Sequence, residues 1–249
     1  MPGTPADSEH TNPRKESCEP REIPKEKVTA AENLLPDIRS GVAVVHPQRN
    51  GERVHGTGGT AWFLNDTYAI TNQHVMRPSP SGEAKLWTTN QDSLTAEVVA
   101  TGGLNRDIAV LEITDGTPPT TLNTADSSTL SKDDYIMLIG HPELIGYWVP
   151  SIGTYTGRNT FEDSESINPD YPDLNMNIPH TGGNSGSPVF TLDGDVVGMH
   201  WGSGFSGVGP AEHTPTSDVV HTEYPYQDRI PGVADPIEAI RETLSKVTQ

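Results

Sequence analysis

The chain has 249 residues and a mass of 26.8 kDa, enough for one large all-β domain. Its 34 acidic residues outnumber its 16 lysines and arginines, and the net charge is −18. This balance excludes nucleic acid as an expected partner, because phosphates require a basic surface. A surplus of carboxylates with little lysine is also typical of halophilic proteins, and an ordinary acidic protein is the alternative. No stretch of the sequence reaches the length of a membrane span.

The N-terminal residues 1–27 are rich in Pro, Glu, Lys and Ser and contain no apolar run that could act as a secretion signal. We expect residues 1–35 to form a disordered or pro-like tail, with a short helix over 28–35 as the alternative. The sequence as given predicts a cytoplasmic protein, or an extracellular one if a leader is missing. Cys18 is the single cysteine, so no intramolecular disulfide can form and core packing must hold the fold.

Beyond the tail, short alternating apolar runs dominate and helix-period patterns are scarce. The whole chain contains 24 glycines and 22 prolines, which interrupt regular structure. This pattern predicts a β-barrel or sandwich. A hairpin over residues 55–71 leads to His74, and a second apolar strand begins beside Asp107. The carboxylates of residues 161–166 lack the spacing of a calcium loop, so no metal site is predicted.

A glycine-rich turn at residues 182–188, with the sequence GGNSGSP, places Ser185 before an apolar run. Glycines allow the sharp bend that exposes a nucleophile, and they leave room for two backbone amides to bind an oxyanion. Gly183 and Ser185 are the expected amide donors, with Asn184 pointing away between them. The turn therefore predicts an acyl-transfer site, with His74 as its base and Asp107 as the group that orients the base.

Three motifs in this chain, TNQHV, DIAVL and GNSGSPVF, resemble the three signatures of the trypsin-like serine peptidases. The order His, Asp, Ser is the chymotrypsin order among the convergent triads. Within that class, GGNSGSPVF followed by GMHWG is most similar to the bacterial glutamyl endopeptidases. The resemblance covers about residues 40–205.

The resemblance implies a chymotrypsin-like fold of two six-stranded antiparallel β-barrels with a C-terminal helix. We expect one protease domain over residues 36–249, with barrel one at about 36–115, barrel two at about 133–232 and the helix at about 235–247. Apolar residues at helical spacing after Asp235-Pro236 support the helix. The implied chemistry requires no metal and no organic cofactor, its partners are protein or peptide substrates, and a monomer is expected.

The same resemblance assigns a pocket that selects the substrate residue before the scissile bond. His200, fifteen residues after the nucleophile, matches the histidine that contacts a glutamate carboxylate in the glutamyl endopeptidases. This implies a preference for Glu or Asp. His180 stands where some relatives have threonine, and it could strengthen or alter that preference. The residues predicted to bind substrate are His180, Thr181, His200, Trp201 and Gly202.

Two alternatives to a Glu-specific endopeptidase remain open. DIAVL and GNSG also occur in HtrA-like quality-control proteases, although too little chain follows Gly204 for the PDZ domain those proteins usually carry. The other alternative is a non-catalytic peptide-binding protein of the same fold. Peptide cleavage by the purified chain discriminates between an enzyme and a binding module.

Overall fold

A computed structural model describes residues 22–103, 106–142, 145–158, 170–202, 219–224 and 232–248. Helix α1 (Lys25–Ile38) precedes the first barrel, and its residues Ala31, Leu35 and Ile38 are buried. These positions recur every three or four residues, so one stripe of the helix faces the core. Residues 25–35 are therefore helical rather than disordered, as in the short-helix alternative, and a pro-like role of the segment stays a prediction. Residues 1–21, including Cys18, lie outside the described residues.

Six strands form the first barrel, and each pairs antiparallel with its neighbours. Their order is β1-β3-β4-β7-β6-β5, and pairing of β1 with β5 closes the barrel. The short strand β2 extends β1 as a hairpin, and a one-turn helix, α2, follows β4. The elements are β1 (Val42–Arg49), β2 (Glu52–Arg53), β3 (Gly59–Phe63), β4 (Tyr68–Thr71), α2 (Gln73–Met76), β5 (Glu83–Trp87), β6 (Ser93–Thr101) and β7 (Ala109–Asp115).

The second barrel is closed in the order β10-β13-β12-β11-β8-β9. Its strands are β8 (Tyr135–Gly140), β9 (Val149–Arg158), β10 (Leu174–Asn177), β11 (Pro188–Thr191), β12 (Val196–Gly202) and β13 (Gly232–Pro236). Helix α3 (Ile237–Ser245) follows β13 directly. The prediction of two six-stranded antiparallel barrels with a C-terminal helix is confirmed.

Strand alternation divides the apolar residues between a barrel interior and a seam between the barrels. On β1, Ala43 and Val45 pack inside the first barrel, whereas Val42 and Val44 belong to a core shared with the second barrel. Successive side chains of a strand point to opposite faces, so both faces of β1 are buried. The shared core includes residues from both barrels and both terminal helices: Leu35, Ile38, Trp62, Val110, Met137, Phe190, Met199, Ile237 and Ile240.

The helices in the described part of the chain lack the length and apolar character that crossing a membrane requires.

Candidate active site

The register between β4 and β7 brings His74 and Asp107 to the same end of the first barrel. Thr71, the last residue of β4, lies opposite Ala109, the first residue of β7. Because the two strands are antiparallel, the chain that leaves β4 and the chain that enters β7 meet at one edge of the sheet. His74 lies in α2 immediately after β4, and Asp107 lies just before β7.

Asp107 holds the start of α2 through both its backbone and its side chain. Its carbonyl accepts hydrogen bonds from Asn72 Nδ2 at 2.8 Å and from the Gln73 amide at 3.1 Å. Its Oδ1 accepts the His74 amide at 2.8 Å, and its Oδ2 is in a short hydrogen bond with His74 Nδ1. An ionised carboxylate is an acceptor only, so Nδ1 of the imidazole carries the proton. Nε2 of neutral His74 is then a bare acceptor, as a general base requires.

Ser185 lies in a turn between residues whose backbone conformation favours glycine. Gly183 has φ of +87° and Gly186 has φ of +88°, both in the left-handed region. Inside the turn, the Asn184 amide donates to the Thr181 carbonyl at 3.2 Å. The Gly183 and Ser185 amides have no acceptor among the residues that the structure describes. Two such adjacent amides are available to bind an oxyanion.

The glycine-flanked turn that carries Ser185 packs directly on the first barrel. The Thr60 amide donates to the Ser185 carbonyl at 2.8 Å. A Cβ atom built on Gly59 would lie 2.8 Å from the Ser185 carbonyl oxygen and 2.9 Å from Cγ2 of Val75, the neighbour of His74. The backbone of the turn and helix α2 are thus both in contact with one glycine of β3. Within the described residues, no hydrogen bond joins the Ser185 hydroxyl to His74, and in the absence of substrate such bonds are often long.

The two predicted pocket histidines lie side by side beneath the turn. His180 and His200 are each 2% exposed, and their ring centroids are 5.0 Å apart. His180 Nδ1 donates to the Ile178 carbonyl at 2.8 Å. The His200 ring is hydrogen-bonded to the Val233 carbonyl, and its buried Nδ1 has no partner among the described residues. Burial first, and then the neighbouring His180 ring, hold the pKa of His200 well below 6.5, so this ring is neutral at neutral pH.

Backbone hydrogen bonds attach β12, the strand that carries His200, to the turn that carries Ser185. The His200 carbonyl accepts the Gly186 amide at 2.9 Å, and the His200 amide donates to the Ser187 carbonyl at 2.9 Å. The other predicted pocket residues, Thr181, Trp201 and Gly202, are half-buried beside the turn and at the end of β12. The pairing of β12 with β13 is irregular at this end, between His200 and Gly202.

The structure adds two residues that the sequence analysis missed. Thr60 of β3 donates from Oγ1 to the Gly183 carbonyl at 3.0 Å, and the same Oγ1 lies 2.9 Å from His141 Nδ1. Both residues are buried. They are 81 positions apart and belong to different barrels, so no local pattern marks them as a pair.

The two closed barrels with a C-terminal helix are the architecture of the chymotrypsin-like class. The model of the trypsin-like peptidase domain matches residues 59–199, a stretch that contains His74, Asp107 and Ser185. The chain belongs to this family.

The relatives found among curated proteins are HtrA-type proteases. The chain is 29% identical over 153 residues to a probable periplasmic serine endoprotease DegP-like of Hahella chejuensis, covering 61% of this chain and 31% of the relative. It is 29% identical over 155 residues to the serine protease Do-like HtrA of Bacillus subtilis, covering 58% and 33%. The chain thus spans about a third of the length of these relatives (31% and 33%).

Solved structures give the same fold. The HtrA-type protease AlgW with tripeptide superposes with a TM-score of 0.65 at 17% identity, over 87% of this chain and 63% of that one. The Rv3671c protease of M. tuberculosis, in an inactive form, has a TM-score of 0.64 at 15% identity, over 92% and 98%. These relatives indicate the HtrA type, and the closer resemblance to glutamyl endopeptidases is not confirmed.

Proposed function

We propose that this chain is a serine-type endopeptidase with Ser185 as nucleophile, His74 as general base and acid, and Asp107 as the residue that orients His74. The observation that carries the proposal is the hydrogen-bonded His74–Asp107 pair beside a glycine-flanked serine turn. The carboxylate holds the imidazole with Nδ1 protonated, so Nε2 can accept a proton. The family match over residues 59–199 supports the same chemistry.

The proposed reaction proceeds in two halves. Ser185 Oγ attacks the scissile carbonyl carbon while its proton passes to His74 Nε2, and the negative charge on the substrate oxygen is bound by the Gly183 and Ser185 amides. The C–N bond then breaks as His74 returns the proton to the departing amine, which leaves an acyl-enzyme. Water repeats the sequence and releases the acid. Asp107 stabilises the imidazolium that forms in each half.

For specificity, we propose that His180 and His200 favour an acidic residue before the scissile bond. Two adjacent imidazoles beside the turn offer nitrogen partners in a desolvated site, where a charge-assisted bond to a carboxylate is strong. In the absence of substrate the His200 ring is neutral. Its buried Nδ1 has no partner among the described residues. A substrate carboxylate at this atom would favour the protonated ring, so the preference for Glu over Gln is expected to increase as pH falls towards 5.

An HtrA-like protease without a strong residue preference is the second candidate, and the identity of the relatives favours it. Such an enzyme would cleave unfolded protein readily and would not distinguish Glu from Gln. A digest of unfolded casein and of a mixed peptide library, with the cut sites read by mass spectrometry at pH 5.5 and 8, separates the two candidates.

The test of the activity itself compares the wild-type chain with Ser185→Ala and Ser187→Ala. Ser187 is the matched control, because it lies two residues further along the same turn, is fully buried, and has an Oγ without a partner among the described residues. We expect wild type and S187A to cut the library and to react with a fluorophosphonate probe, and S185A to do neither. A peptide-binding module would bind library peptides without cutting, and all three chains would remain unlabelled.

A further inference from the structure

Thr60 is in contact with the nucleophile turn through both its backbone and its side chain. Its amide donates to the Ser185 carbonyl at 2.8 Å, and its Oγ1 donates to the Gly183 carbonyl at 3.0 Å. Its own carbonyl accepts Thr71 Oγ1 at 2.7 Å, which ties it to the strand that leads to His74. Thr60 is fully buried. A threonine of the first barrel thus holds the turn that carries the nucleophile of the second.

The protons of this cluster can be assigned by counting donors. A threonine hydroxyl has one proton, and Thr60 Oγ1 has two partners, the Gly183 carbonyl and His141 Nδ1. The carbonyl can only accept, so the hydroxyl proton goes to Gly183. His141 Nδ1 must then be the donor to Thr60 Oγ1. The chain of bonds runs from His141 through Thr60 to Gly183.

His141 is built to remain a neutral donor. The residue is 7% exposed, and its ring lies edge-on to Trp148 with centroids 5.0 Å apart. Trp148 is fixed in turn by a 2.7 Å hydrogen bond from Nε1 to the Val42 carbonyl. Burial, together with the nearby His46, lowers the pKa of His141 to about 3. A neutral ring with Nδ1 protonated leaves Nε2 bare, and this buried Nε2 has no partner among the described residues.

The peptide group between Gly183 and Asn184 is consequently held on both sides. Its carbonyl accepts Thr60 Oγ1, and its N–H donates to the Thr181 carbonyl at 3.2 Å. Rotation of this peptide would break both bonds. The amides on either side of it, those of Gly183 and Ser185, are the ones assigned to the oxyanion, so their directions depend on the same peptide group.

We propose that Thr60 and His141 are positioning residues, which fix the oxyanion-binding conformation of the nucleophile turn by donating, in series, to the Gly183 carbonyl. The proposal rests on the proposed endopeptidase function. Neither residue touches the substrate. Their contribution is to transition-state stabilisation, so their loss lowers kcat and leaves KM nearly unchanged.

The closing experiment uses paired variants that remove or retain each donor. Thr60→Val keeps the shape and loses the hydroxyl, whereas Thr60→Ser keeps the hydroxyl. His141→Phe keeps a ring and loses the donor, whereas His141→Asn keeps an N–H close to the position of Nδ1. We expect T60V and H141F to lower kcat and the rate of fluorophosphonate labelling by ~10–100-fold, with KM within about twofold. T60S is expected to recover to within a few-fold of wild type, and H141N to recover in part.

A second measurement reports on the network without relying on activity. Imidazole ¹⁵N shifts of wild type should show His141 with a proton on Nδ1 and none on Nε2. The opposite tautomer overturns the proposal, as do equal rates for T60V and T60S. If T60V fails to fold, as judged by its thermal melt, the H141F and H141N pair and the tautomer decide the question. A wild-type chain that is not labelled at Ser185 overturns the endopeptidase proposal itself, a result distinct from equal rates in labelled variants.

Discussion

The two barrels position their halves of the active site by different means. In the first barrel, side-chain hydrogen bonds hold His74 and Asp107 together where the chain leaves β4 and enters β7. Ser185 is held by backbone bonds within its turn, by glycines at positive φ and, from the first barrel, by Thr60. The His74–Asp107 pair should therefore be sensitive to side-chain chemistry at constant shape, and the Ser185 turn should in addition be sensitive to small changes in backbone shape.

The largest effect is expected from Asp107→Asn, which replaces one carboxylate oxygen of Asp107 with an NH₂ group. The remaining side-chain oxygen can still accept the His74 amide, but the new NH₂ group favours the wrong imidazole tautomer. We expect kcat to fall by ~10³–10⁴-fold with the thermal melt nearly unchanged. Asp115→Asn, at the exposed far end of β7, is the control and should retain full activity. A D107N chain within tenfold of wild type would remove Asp107 from the mechanism.

A smaller loss of activity is expected from Gly186→Ala, which tests the turn that carries Ser185. The added Cβ would lie 1.9 Å from the Thr60 carbonyl oxygen and 2.8 Å from Thr71 Oγ1, so the turn must move away from the first barrel. Gly194→Ala is the matched control, because its φ of +92° is similar and its nearest neighbour is 3.5 Å away. Both should lose about 1 kcal/mol of stability from backbone strain, and G186A should lose more than G194A because of its clash with Thr60.

G186A alone should also lose activity, by ~10–100-fold in kcat, because the oxyanion donors move with the turn. Steady-state kinetics and thermal melts of the two variants measure this difference. If G186A and G194A had the same kcat, the shape of the turn that carries Ser185 would not limit catalysis.

The smallest effect concerns a buried charge cluster where the barrels meet. Arg106 is the neighbour of Asp107 in the chain. Its Nη1 donates hydrogen bonds to Asp173 Oδ1 at 2.6 Å and to Asp235 Oδ1 at 3.0 Å. Burial is the main cause that raises the pKa of Asp235 from 3.8 to about 7. Arg106 opposes this shift, and Asp173 and Asp107 add to it. The folded state thus binds the Asp235 proton more tightly than the unfolded chain does.

The contribution of Asp235 to stability is therefore fully present below pH 3.8 and is lost as pH rises towards about 7. Asp235→Asn removes this titration. Between pH 5 and pH 8, the free energy of unfolding measured in urea should fall by at least about 1 kcal/mol more for wild type than for D235N. Equal losses in the two chains would mean that Arg106 keeps Asp235 ionised throughout.

The sequence predicts those features of the fold that depend on neighbouring residues or on a periodic pattern of apolar residues. The strands follow from alternation, and the meeting of His74 and Asp107 follows from the antiparallel register of the strands beside them. Helix α1 was underestimated because polar composition and Pro36 obscured the short apolar stripe of Ala31, Leu35 and Ile38.

Contacts between the barrels could not be predicted in this way. Thr60 and His141 bond across 81 positions, and Arg106 reaches Asp235 across 129. Pairing between distant residues depends on how two closed barrels dock, which no periodicity encodes. The direction of the His200 ring is set by its own hydrogen-bond partner, and this too is visible only in three dimensions.

The core shared by the two barrels has a consequence for how the molecule opens. Val110 of the first barrel and Met137 of the second belong to one apolar cluster, together with Leu35 of α1 and Ile240 of α3. Neither barrel can unfold without exposing that common surface to water. The backbone amides of β7 and β8 should therefore show the same free energy of opening in hydrogen exchange, because they exchange through one global event. The two barrels are then one cooperative unit, although the residues of their shared core come from opposite halves of the chain.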